Sequence, residues 1–131
     1  MDIYEVVFVI GRILYGGYFM MMGWNHFKNT EMLAGYAQSK GIRSPKLAVR
    51  GSGVLLLAGG LGILLGVYVE WAVLALVLFL VPVSFKMHAF WSVSDPMAKM
   101  GDMTHFLKNM ALLGAALMML MIPTPWLYAI L

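Results

Sequence analysis

The chain has 131 residues, of which 62% are hydrophobic and only 11% charged, with a formal net charge of +3 at pH 7. Soluble domains carry charge at about a quarter of their positions, so this composition excludes a soluble globular fold and implies an integral membrane protein. Four spans of about 20 residues nearly exhaust the length, as one domain over residues 1–131. With no cysteine, the chain has no disulfide, thiol relay or thiolate metal site.

The first apolar segment covers residues 3–24. It lacks the basic start and small-residue cleavage site of a secretory signal and is read as a retained helix. Helical spacing puts Glu5, Arg12, Phe19 and His26 on one face, with Gly16 and Gly23 adjoining. Arg12 lies near the middle of the segment, where a cation costs a few kcal/mol, so it is expected to face the bundle interior. Glu5 is about 10 Å away along the axis, too far to pair without bending, and another helix should supply the partner. Arg12 then serves either as a structural hydrogen-bonding post or as a ligand group.

The connection over residues 25–46 is too long for a turn. Met32, Leu33, Tyr36 and Ala37 recur at helical spacing, Gly41 is suited to end a helix, and Ser44-Pro45 to start the next. This predicts a short amphipathic helix at the membrane surface.

The second span is placed at 47–69 and the third at 71–91, joined by a tight hairpin at Tyr68–Trp71 that makes them antiparallel neighbours. Ala58, Gly62 and Gly66, with Gly59 beside them, form a small-residue row suited to close helix contact. Pro82 can free a carbonyl in the third span, and Lys86 and His88 sit near its end.

The fourth span is placed at 105–124. His105, Lys108 and Asn109 share one helical side at i, i+3 and i+4, and Gly114 opens a further small-residue face. Lys and Arg gather around the connections 25–46 and 92–104, whereas the hairpin side has only Asp2, Glu5 and Glu70. The positive-inside rule therefore puts both basic connections in the cytoplasm and both termini outside. Aromatic residues near the segment ends, among them Trp24, Trp71 and Trp91, support these boundaries.

Together these groups predict a polar pocket open to the basic side, formed by Arg12, Tyr15, His26, His88, His105 and Asn109. Arg12 is its floor, and His26, His105 and Asp102 lie at the mouth. Gly16, Gly23, Ala58, Gly62, Gly66 and Gly114 are expected in helix packing. Each polar group also has a plainer reading: Lys28 and Lys108 reaching to headgroups, the histidines as satisfied interfacial residues. No histidine pair has a diagnostic spacing, so no metal site is predicted. Apart from Glu5, no acid is expected to pair with a histidine inside the membrane. The 13 methionines read as adaptable apolar filler.

The whole chain resembles the DoxX family of small membrane proteins. The resemblance rests on GRILYGGYFMMMGWNHF at residues 11–27, the glycine-rich second span, Phe90-Trp91, Asp95-Pro96-Met97 and FLKNMALLGA at residues 106–115. It implies an all-α, four-helix integral membrane bundle and puts weight on Arg12, Gly16, Gly23, Gly62, Lys108 and Asn109. Members of the family are linked to thiosulfate:quinone oxidation and membrane oxidoreductase complexes, and distant relatives to assembly or cargo roles, so fold does not fix function.

Two readings stay open. In the first, the chain is a non-catalytic subunit or docking partner of a membrane complex in the prokaryotic inner membrane, held in the bilayer and bound to another protein or to its own copies. In the second, it is the subunit of an oxidoreductase that binds a quinone- or lipid-like molecule around Arg12, His88 and Asn109. No cofactor is predicted outright, and no motif points to nucleic acid. The lack of nucleotide and metal motifs favours the first. A quinone or lipid site, however, needs only two hydrogen-bond partners and an apolar slot.

Overall fold

A computed structural model describes residues 1–130. It is all-helical, without strands among the described residues: α1 (Ile3–Lys28), α2 (Thr30–Ser39), α3 (Pro45–Leu65), α4 (Val69–Met87) and α5 (Pro96–Met119), with a single 3-10 turn at Phe90–Ser92 before α5.

Local chemistry sets these boundaries. Asp2 and Glu5 form a capping box at the start of α1. The α2 helix lies between the first and second long helices, where a short helix is expected from the sequence, and ends before Gly41 at φ +83°. Pro45 begins α3 at a position where a missing N–H costs nothing, and Gly66, in the left-handed region at φ 72°, ends it. Tyr68 then makes the tight hairpin into α4.

The last helix differs from its expected limits of 105–124. Asp95 caps it, its side chain accepting from the Ala98 N–H at 2.9 Å, and Pro96 occupies the first turn. The helix therefore begins nine residues earlier than expected, by comparison of Pro96 with His105. It stops at Met119, because Pro123 and Pro125 cannot continue the ladder. The following segment turns back, and the Ile130 N–H donates to Leu65 O at 2.9 Å, so the chain end covers the end of α3.

Three helical segments are long and apolar enough to cross a membrane: Ile3–Lys28, Pro45–Leu65 and Val69–Ser92. Their outward faces carry exposed Ile10, Leu14, Val54, Leu61, Leu74 and Leu78. Helices apolar on all sides, with their large side chains turned outward, belong in lipid. Helix α5 is as long but polar in its first half, with Asp102, His105, Lys108 and Asn109.

Packing runs in the order α1, α3, α4, α5, with α2 laid across α3. Gly16 and Gly60 bring α1 and α3 into backbone contact: a Cβ on Gly16 would lie 2.6 Å from Gly60 O, and one on Gly60 2.7 Å from Gly16 O. Gly23 meets Gly53 and Leu57 in the same seam, while Gly59 and Gly62 face Ala72 and Leu76 of α4. Of the expected packing positions, Ala58 is exposed and Gly114 has nothing within 4 Å of a built Cβ, so neither packs inside the bundle. The heptad-like row from Gly53 to Gly60 carries the contact that the sequence reading gave to Ala58.

Helices α1 and α5 do not pack closely on each other. Side chains span the seam instead, the Tyr15 hydroxyl donating to Leu112 O at 2.5 Å and Lys108 Nζ to the Tyr18 hydroxyl at 3.0 Å.

Candidate functional site

The open seam leads into a cavity of about 530 Å³ bounded by all five helices. Its floor is apolar: Phe19, Leu56 and Leu80, each at most 1% exposed, with Leu112. Its polar lining is His26 from α1, Ser52 from α3, Lys86 and His88 from the end of α4, and His105, Lys108 and Asn109 from α5. On α1, α3, α4 and α5 these polar residues stand nearer the basic connections than the residues of the apolar floor. From Phe19 to His26 this gradient covers about 10 Å along the axis. The cavity therefore has an apolar base and a polar rim at the basic end.

Asn109 is the unusual member. It is 5% exposed and lines the cavity, yet its side chain makes no hydrogen bond among the described residues. Its amide atoms are not sealed in protein but open onto the cavity; among the described residues the fully enclosed side-chain N–H without a partner is Trp126 Nε1. The histidines are better provided for. His26 Nδ1 lies 3.1 Å from Val49 O and 3.0 Å from the Ser52 hydroxyl. Because Val49 O can only accept, Nδ1 carries the proton and Nε2 is left free. His88 Nδ1 lies 3.1 Å from Asp102 Oδ1, and its ring stacks on His105 with centroids 4.9 Å apart. With the carboxylate as acceptor, His88 too keeps Nε2 free.

Asp102 is a buried hub. Lys40 Nζ donates to its Oδ2 at 2.8 Å, and the Tyr36 hydroxyl to its Oδ1 at 3.4 Å. Burial alone would raise its pKa, but the hydrogen bonds from Lys40 and His88 outweigh this and hold the carboxyl below its usual range. The same bond raises Lys40, and burial raises the Tyr36 phenol. Asp102 lies outside the span placed at 105–124, so its pairing with His88 adds an acid–histidine pair at the mouth that the sequence had not singled out. Asp102, His105 and Asn109 fall at i, i+3 and i+7 on one face of α5, which is the signal that could have placed Asp102 beside the histidines. The contributions of Tyr36 and Lys40 had no such signal, since they depend on how α2 folds over α3.

The structure brings His26, His88, His105 and Asn109 to one cavity. Tyr15 stands at its edge in the seam, bonded to a lining residue. Arg12 is elsewhere. Its guanidinium donates to Ile63 O at 3.3 Å and Leu64 O at 3.0 Å, at the carbonyl end of α3, and to Tyr128 O at 3.2 Å and Leu127 O in the returning chain end. It also lies 5.5 Å from the Phe8 ring and 5.9 Å from that of Trp126. Two of its partners are thus carbonyls that the end of α3 leaves unpaired and two lie in the returning segment, and together they hold it on the hairpin side, away from the cavity. No cluster of three or more potential metal ligands occurs among the described residues.

The model of the DoxX family matches residues 7–89, more than half of the chain. The match covers α1 to α4 and stops before α5, which supplies Asp102, His105, Lys108 and Asn109. No curated protein and no solved structure matches the chain. With its glycine-packed, arginine-bearing first helices inside the matched segment, the chain belongs to the DoxX family.

Proposed function

We propose that this DoxX protein is a four-span membrane subunit that takes up an amphiphile from the bilayer, quinone- or lipid-like, in the cavity between α1 and α5. Asn109 carries the reading: an amide without a protein partner, on the wall of a chamber with an apolar base and a polar rim, is what a ligand with a polar head would satisfy. The seam between α1 and α5, crossed by Tyr15 and Lys108 and not closed by helix packing, provides a lateral way in from lipid. Placing the basic rim at the cytoplasmic face would set the ligand's head at headgroup depth and its apolar part among Phe19, Leu56 and Leu80.

The test is extraction of the purified protein in mild detergent followed by mass spectrometry. A stoichiometric amphiphile is expected, and the variant Leu55→Trp, which fills the chamber, should lose it. Protein free of any such molecule, and unmoved in melting temperature by added quinone or lipid, would rule the reading out.

A docking role has one specific support. Ala58 and Leu61 are exposed beside Trp71 along a shallow apolar groove between α3 and α4, and small residues left outward on a span permit another helix to approach. The two roles are compatible in a subunit that delivers or senses a lipid-like molecule.

A further inference from the structure

The proposed amphiphile site has a charge bias that defines its ligand more closely. No Asp or Glu lines the cavity, whereas Lys86, Lys108 and three histidines do. The nearest carboxylate, Asp102, sits behind His88 and is already engaged by Lys40, Tyr36 and His88 itself. From this we infer that the site is built for an anionic amphiphile, a single apolar chain ending in a carboxylate or a phosphate; the inference rests on the amphiphile reading above and sharpens it.

Donor supply supports the sign. Lys108 Nζ spends one contact on the Tyr18 hydroxyl, 3.0 Å away, which leaves the ammonium two protons and frees the Tyr18 O–H to donate in turn. Asn109 adds an amide donor that nothing in the protein uses. His105 makes no hydrogen bond among the described residues and stacks on His88 at the rim. An anion entering here would meet several donors and no competing carboxylate. Charge-assisted hydrogen bonds in such a partly dry site are about twice as strong as neutral ones.

The shape agrees with the charge. The cationic groups stand at the basic end and the apolar floor about 10 Å further in, so the head and chain of a bound molecule would run parallel to those of lipids in the same leaflet. A neutral head gains only ordinary hydrogen bonds from Lys86 and Lys108. An anion gains charge-assisted bonds from both.

The experiment uses the full chain in neutral detergent and compares three probes by melting temperature and by displacement of a fluorescent fatty acid: oleate, lysophosphatidate and methyl oleate. Oleate and lysophosphatidate are expected to bind at least about tenfold more tightly than methyl oleate, the loss expected when a charged hydrogen bond is removed. The double variant Lys108→Gln/His105→Gln should weaken oleate far more than methyl oleate, bringing the two to about the same level. Both positions are exposed, so the fold should survive, and an unchanged melting temperature without probe verifies this.

If lysophosphatidate binds more tightly than oleate, the head is a phosphate of lipid origin; if less tightly, a free fatty-acid carboxylate. Either supports the inference. Methyl oleate binding as tightly as oleate overturns the anionic site while sparing the amphiphile reading. Failure of all three probes, in wild type as in Leu55→Trp, overturns both.

Discussion

Asp102 Oδ2 accepts from Lys40 at 2.8 Å while its Oδ1 lies 3.1 Å from His88 Nδ1, so one carboxylate of α5 ties the end of α2 to the end of α4. The consequence is a lid. Tyr36 and Ala37 of α2 line the cavity, and the same carboxylate that orients His88 keeps α2 seated over it.

The lid should loosen in acid. Asp102 titrates below its usual range, so its contribution to stability is complete above the unfolded carboxyl value of about 4 and is lost as pH falls through the lower folded value. Lys40 is raised, so its share is complete below about 10.4 and is lost only as pH climbs through the higher folded value. Between these limits neither the Asp102 nor the Lys40 contribution changes with pH. Hydrogen exchange of α2 measured against pH should show protection lost first at the acid end, and Asp102→Asn should lose protection at neutral pH with no further acid step.

Arg12→Leu should destabilise the protein by about 3 kcal/mol or more, since it leaves several buried carbonyls without donors. Lys in its place retains charge but cannot span the Ile63, Leu64, Leu127 and Tyr128 carbonyls as a planar fork does, and should recover only part of the loss. Because the arginine lies away from the cavity, probe binding per folded molecule should be unchanged. Reversible melting combined with displacement titration separates the two effects; binding lost without any fall in stability would contradict this placement.

Glycine substitutions should divide by position. Gly16→Ala and Gly60→Ala each drive a methyl group into an opposing backbone carbonyl at 2.6 and 2.7 Å, and backbone cannot yield as a side chain can. Overpacking of this kind costs roughly 1–3 kcal/mol. Gly114→Ala meets nothing within 4 Å and should be neutral or gain up to about 1 kcal/mol from helix propensity. Melting temperatures of the three variants, measured in one detergent, check the order.

Much of this was legible in the sequence, for reasons that differ by residue. The solvent, the apolar helices and the short helix between the first two of them follow from composition and periodicity, which are local. The convergence of His26, His88, His105 and Asn109 followed from putting polar groups at matching depths, a sound argument in a membrane because depth fixes cost. Arg12 failed that same argument. Its position on α1 was read correctly, but its length lets the guanidinium reach the end of α3, and no pattern announces that the chain end will fold back past Pro123 and Pro125 to supply two more carbonyls. Ala58 and Gly60 show a similar limit: both sit in a glycine-rich run, and only the rotation of α3 against α1 decides which of them is packed.

Asn109→Leu distinguishes a ligand-binding amide from a structural one. A structural asparagine anchors its neighbours, and removing it costs about 1–3 kcal/mol because the partners lose their bonds. Asn109 has no such partner among the described residues and is 95% buried by complement of its 5% exposure. Leucine should therefore leave the ligand-free protein as stable as before or slightly more so, since the amide holds no protein neighbour and an apolar group of similar size suits the apolar floor beside it. Binding should fall for every amphiphile, charged or neutral, because the lost donor serves any oxygen-bearing head. Stability gained with binding lost is the pattern of a site maintained against the preference of the fold. Stability lost with binding intact would mean that Asn109 holds the helices together and that the ligand's head lies elsewhere on the rim.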